Sequence, residues 1–224
     1  MFGGVKMDAI LFDVDGTILD SLGVWNEVVQ AIYDANHIDS NVEEDMKRYH
    51  SLKASEAFAW IHAHWHTKMD EKDMEELADT ILERAYTKTI QPLPGAVEFI
   101  KLAKKKGYRL GVVTSSPLRL VKPCFQQLGI FEDFDGIESA EDLGLSKRNP
   151  EIFERALSRV HAQAEQTYYF EDSRYALDTA DGLGIVGIGV RSKGEKYPDR
   201  AAIDDFFELL PLLQSNKSLI SSIK

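Results

Sequence analysis

Three short runs carry residues that could do chemistry together. Asp13-Val14-Asp15-Gly16-Thr17 holds two carboxylates two positions apart, Thr114-Ser115-Ser116-Pro117 holds hydroxyls, and Glu171-Asp172 adds two more carboxylates. Each run ends a short apolar stretch, which places it at the carboxyl end of a strand. Carboxylates gathered along one sheet edge repel unless a cation sits among them. Hard oxygen donors of this kind suit Mg²⁺, so Asp13, Asp15, Glu171 and Asp172 are the candidate ligands. Pro117 suits a first helical position and Ser116 an N-cap, which would aim free backbone N–H groups at an anion. Lys147, in Ser146-Lys147-Arg148-Asn149-Pro150, precedes another helix start and is expected to turn inward. One lysine cannot balance four carboxylates and a bound dianion, so a divalent cation is expected for binding as well as for chemistry.

The elements that must position these runs are legible as apolar stretches. Ala9–Phe12, Leu110–Val113, Thr167–Phe170 and Gly184–Val190 read as strands buried on both faces. Helical patterns lie between them: Val97–Ala103, Leu120–Leu128 and Pro150–Val160. Alternation of this kind predicts an α/β fold with a doubly wound parallel sheet, which binds ligands at the carboxyl ends of its strands. Residues 21–91 break the alternation. Trp25, Val28, Val29, Ile32 and Tyr33 recur at helical spacing, as do Met74, Leu77, Ile81 and Leu82. Pro92-Leu93-Pro94-Gly95 then reads as a linker. The expected organisation is a core of residues 1–20 and 92–224 with a helical insert over 21–91.

Composition bounds the function. With 44% hydrophobic and 28% charged residues in 224, the chain has an ordinary globular make-up. A formal charge of −11 repels nucleic acid and anionic membranes, so neither is an expected partner. A single cysteine, Cys124, excludes an intrachain disulfide and suits a reducing compartment. No secretory pattern or membrane-length apolar run is visible, and a cytoplasmic protein, monomeric or weakly dimeric, is expected.

The order Asp-x-Asp-Gly-Thr, a strand-end Thr, a Lys with a nearby Pro, and Glu-Asp-Ser resembles the haloacid dehalogenase (HAD) superfamily of phosphohydrolases across the whole chain. The helical insert is similar to the cap of the subgroup holding phosphoglycolate phosphatase and β-phosphoglucomutase. The resemblance implies a Rossmann-like core and a Mg²⁺-dependent phosphatase of a small phosphorylated metabolite. Asp13 would be the nucleophile that forms an aspartyl-phosphate, and Asp15 the general acid and then base. Thr114, Ser115 and Lys147 would bind the phosphoryl group. Asp13, the Asp15 carbonyl and Asp172 would hold Mg²⁺, with Glu171 bound directly or through water. Related sequences often carry Gly-Lys-Pro where this chain has Ser146-Lys147-Arg148, so Arg148 reads as added charge. A phosphosugar mutase is the alternative enzyme, although Trp25 stands about where such mutases carry a histidine. A non-enzymatic phospho-acceptor module is the alternative from another class; it would be about half this length and lack the insert. Within the insert, Trp25, Arg48, His50 and Lys53 are candidate substrate contacts, and hinges are expected near Asp20–Gly23 and Gln91–Gly95. His62, His64 and His66 are expected on a helix surface, and Cys124 in a buried helical face.

Overall fold

Ala9–Phe12 forms β1, a strand with all four residues buried. The computed structural model describes residues 7–49, 52, 54–192, 196–215 and 218–219. The chain divides into two compact units, residues 1–20 with 91–224, and residues 21–90. No helix among the described residues is long and apolar enough to cross a membrane.

The unit formed by residues 21–90 is helical. Its helices are α1 (Val24–Asn36), α2 (Val42–Tyr49), α3 (Ala54–Trp65) and α4 (Glu71–Arg84). Their apolar residues recur every three or four positions, so Val28, Val29, Ile32 and Tyr33 of α1 and Met74, Ala78, Ile81 and Leu82 of α4 are buried. Asp70 opens α4 with a capping box closed by Asp73. Polar groups inside are paired: the Tyr33 hydroxyl meets Tyr49 Oη at 2.7 Å and donates to Asp45 at 2.9 Å. His64 stacks on Trp60, and His62 bonds Thr67 and the Met69 carbonyl. Trp25 is half-buried and Arg48 lies over the Trp60 ring; His50 and Lys53 fall outside the described residues.

The other unit is an α/β sheet. Its further strands are β2 (Arg109–Thr114), β3 (Gly136–Ser139), β4 (Thr167–Glu171), β5 (Val186–Val190) and β6 (Ala202–Ile203). The order is β3-β2-β1-β4-β5-β6, and every pairing is parallel. The chain runs outward from β1 to β3, then returns to place β4 on the other side of β1. The order therefore reverses between β1 and β4, where a doubly wound sheet opens a crevice at its carboxyl edge. Phe12 stands opposite Phe170 in the register. The next residues, Asp13 and Glu171, consequently emerge side by side, and Asp13 N–H donates to the Phe170 carbonyl at 2.9 Å.

Helices α5 (Ala96–Lys105), α6 (Leu118–Leu128), α7 (Glu151–Arg159), α8 (Arg174–Gly182) and α9 (Leu210–Gln214) complete this unit. On one sheet face Phe12 and Phe170 stack at 5.5 Å, with Phe99 of α5 edge-on to both. Burying each such ring contributes about 1.5–3 kcal/mol. On the other face Leu11 and Tyr169 pack with Phe153 and Ala156 of α7 and Leu177 of α8. The two chain passages between the units are tied to each other on the sheet side. Asp20 N–H donates to the Gln91 carbonyl at 2.9 Å, and Leu93 N–H to the Ile18 carbonyl at 2.8 Å. Leu19 and Pro92 form an antiparallel bridge between those bonds.

Two strands are additional to the four expected. β3 reads Gly-Ile-Glu-Ser, with no apolar run, and its buried Glu138 is held by Arg155 and Arg159 of α7. β6 is only two residues long. The helix after β2 also begins differently. Pro117, not Ser116, is the N-cap of α6, and no side chain of its own caps it. Asp142 accepts the Leu118 N–H at 2.9 Å instead, and Ser116 is engaged elsewhere.

Candidate active site

The chain leaves β1 in a tight turn. The N–H groups of Ile18 and Leu19 both donate to the Val14 carbonyl, at 2.9 and 2.8 Å. Gly16 has φ +80°, a left-handed conformation that glycine adopts without a Cβ penalty. The turn leaves Asp13 buried and Asp15 half-buried. Thr17, also buried, directs its hydroxyl at Asp13 Oδ2 from 3.4 Å. Asp15 Oδ2 accepts the Ser116 hydroxyl at 2.5 Å, so the turn after β2 positions the second aspartate of the turn after β1. Thr114 is fully buried and its Oγ1 accepts the Ser116 N–H at 3.0 Å, while Ser115 is exposed.

Lys147 comes from the turn before α7. It is 4% exposed and spans two strand ends, donating to Asp13 Oδ1 and, at 2.8 Å, to Glu171 Oε2. Glu171 is wholly buried and both its oxygens are engaged. Oε2 also accepts the Tyr169 hydroxyl, and Oε1 accepts the Ser173 N–H at 2.8 Å. Tyr169 is not among the expected site residues, because inside a strand a tyrosine reads as core. Its position two residues before Glu171 was the available signal, since alternate residues share a face. Asp172 is half-buried, accepts the Ser173 hydroxyl at 3.2 Å, and accepts the Tyr197 hydroxyl at its backbone carbonyl.

Asp13, Glu171 and Asp172 each present an oxygen within 4.8 Å of the others'. Lys147 is too little positive charge for three carboxylates in such surroundings. Burial, and then the Glu171 charge, push the Asp13 carboxyl up to about 8. Burial and the charges of Glu171 and Asp13 push Asp172 up to about 9. Glu171 goes the other way: burial alone would raise it, but Lys147 and its hydrogen bonds hold it below the usual range. Burial would lower Lys147, but the facing Asp13 and Glu171 charges hold it well above its ordinary value, so it stays charged. A site that binds protons this tightly is short of cations. Its donors are all hard oxygens, which fits Mg²⁺ rather than a soft metal. The Asp15 side chain is turned to Ser116 and is not in the three-carboxylate group.

Three carboxylates and a buried lysine thus gather at the point where a parallel sheet reverses its strand order, the place where such sheets bind ligands. The chain belongs to the haloacid dehalogenase-like hydrolases, whose profile matches residues 7–180. Among curated proteins it is similar to the N-acetylmuramic acid 6-phosphate phosphatase of Pseudomonas aeruginosa, 25% identical over 84% of this chain and 83% of that one. Among solved structures it is similar to CbbY from Rhodobacter sphaeroides in complex with phosphate. That match has a TM-score of 0.77 and 25% identity, over 93% of this chain and 100% of the other. The hydrolase YfnB of Bacillus subtilis, solved bound to magnesium, shares the fold with a TM-score of 0.76 and 20% identity, over 93% and 99% of the two chains.

Proposed function

We propose that this hydrolase is a Mg²⁺-dependent phosphatase of a small phosphorylated metabolite, a sugar phosphate or similar compound, and that it works through an aspartyl-phosphate on Asp13. The phosphatase class rests on the family and its phosphatase-named relative. The observation that carries the mechanism is Lys147, buried and bonded to both Asp13 and Glu171 at the strand-order reversal, with Asp15 at the rim on Ser116.

An Asp13 oxygen attacks phosphorus as the bond to the leaving oxygen breaks, and Asp15 gives that oxygen its proton. Asp15 then takes a proton from water, whose oxygen attacks phosphorus and releases phosphate and the free Asp13 carboxylate. The Ser116 hydroxyl holds Asp15 in place for both transfers. Lys147 and the hydroxyls of Thr114 and Ser115 carry the charge of the phosphoryl oxygens. Asp13, Asp172 and the Asp15 carbonyl would hold Mg²⁺. Glu171 would act through Lys147 and water, because its own oxygens are taken. When bound, the ion supplies charge neutralisation that lets an anionic nucleophile approach an anionic phosphate. Residues 21–90 would help select the substrate, since the strand ends provide only the phosphate chemistry.

Asp13→Asn keeps shape and removes the nucleophile, so it is expected to abolish p-nitrophenyl phosphate hydrolysis without lowering the melting temperature. Retained hydrolysis would overturn the role of Asp13, and full wild-type activity in EDTA would overturn the metal. Phosphate release without isomer formation over a sugar-phosphate panel separates phosphatase from mutase. An acyl phosphate that persists for minutes would mark a phospho-acceptor instead.

A further inference from the structure

We propose that Arg148 binds a second anionic group of the substrate, so that the enzyme prefers phosphorylated compounds carrying a further phosphate or carboxylate. This rests on the phosphatase reading above and deepens it.

Lys147 and Arg148 are neighbours in a turn closed by Asn149 N–H on the Ser146 carbonyl at 2.9 Å. The turn sends them to different places: Lys147 is buried on Asp13 and Glu171, and Arg148 is exposed. The Arg148 guanidinium lies over the Tyr175 ring, 4.2 Å from its centroid. Tyr175 is the second residue of α8 and stands three positions after Asp172. Its hydroxyl lies within interaction range of Ser115, the exposed residue just after β2, and the ring lies within the electrostatic reach of Lys147. The ring therefore crosses from the start of α8 to the hydroxyl edge of the site, and Arg148 is laid along its face.

Stacking uses the face of a guanidinium and leaves its in-plane N–H groups free, in the fork that matches a carboxylate or phosphate. Arg109, Arg155, Arg159, Arg174, Arg191 and Arg200 spend theirs on carboxylates of the chain. Among the described residues Arg148 is in no salt bridge, in a chain of net charge −11. Lys147 and the hydroxyls answer the reacting phosphate. A second anion on the same molecule needs its own cation, and Arg148 is held ready one residue further out.

The test is the dissociation constant of matched ligand pairs, measured calorimetrically with Mg²⁺ in the Asp13→Asn protein so that turnover does not intervene. The pairs are 3-phosphoglycerate with glycerol 3-phosphate, and fructose 1,6-bisphosphate with fructose 6-phosphate. The second anion is expected to tighten binding by about tenfold or more in at least one pair, as one charge-assisted fork would. Adding Arg148→Gln should erase that advantage, and Arg148→Lys should restore part of it. Equal affinities within both pairs, or an advantage that survives Arg148→Gln, would overturn the proposal. Failure of the wild type to hydrolyse p-nitrophenyl phosphate would count against the phosphatase reading, while the pairwise comparison still decides Arg148.

Discussion

Glu171 has less freedom than any other carboxylate of the site, and Tyr169 is part of the reason. Tyr169→Phe removes one hydrogen bond to a buried charge, which costs about 1.5–3 kcal/mol. A urea midpoint equal to wild type would show that the hydroxyl contributes nothing. Asp13 and Asp172 supply a pH prediction with a definite sign. Their folded values, about 8 and about 9, lie above the unfolded carboxyl value near 4. Between those limits the folded state holds protons that the unfolded state does not, so stability falls as pH rises through that window. Mg²⁺ would replace those protons. It should therefore raise the melting temperature more at about pH 9 than near pH 5, and an equal rise at both would count against these carboxylates as its ligands. The acidic strand ends were legible in the sequence because charge at the end of an apolar run is conspicuous. Tyr169 was not, since its ring belongs to the core and only its hydroxyl belongs to the site.

At the scale of elements, the legible strands were those covered on both faces. β1, β2, β4 and β5 announce themselves as apolar runs, whereas β3 is an edge strand whose inward carboxylate is neutralised by two arginines of the next helix. That compensation comes from residues distant in sequence, so a local pattern cannot reveal it. The start of α6 hides for the same reason. Its orphan N–H is satisfied by Asp142, 24 residues downstream of Leu118, rather than by Ser116. Asp142→Ala should consequently destabilise the protein by about 0.5–2 kcal/mol, the usual worth of a cap. Ser116→Ala, by contrast, should affect turnover through Asp15. Melting curves and p-nitrophenyl phosphate rates on the two variants check this division; a Ser116→Ala variant with unaltered rate would remove Ser116 from the site.

For the whole molecule, the informative feature is how residues 21–90 are joined on. The chain leaves at Asp20 and returns at Gln91, and those two residues are hydrogen-bonded to each other. Replacing 21–90 by a short glycine-rich turn should therefore leave a sheet unit that folds cooperatively, because a hairpin connection spans such a gap with about two to five residues. Circular dichroism with thermal melting reads the outcome, and a molten product would show that the sheet unit depends on the helical one. If it folds, it should hydrolyse p-nitrophenyl phosphate while discriminating poorly among natural phosphates.

That two-stranded stem, Ile18–Asp20 beside Gln91–Leu93, also bears on descent. Doubling the length of a segment between two joined points costs only about 0.6 kcal/mol of closure entropy. Lineages can then lengthen, shrink or exchange what grows from the stem while Asp13, just beyond β1, stays in place. Change in the insert and constancy at the strand-end carboxylates can fall on separate stretches of the gene.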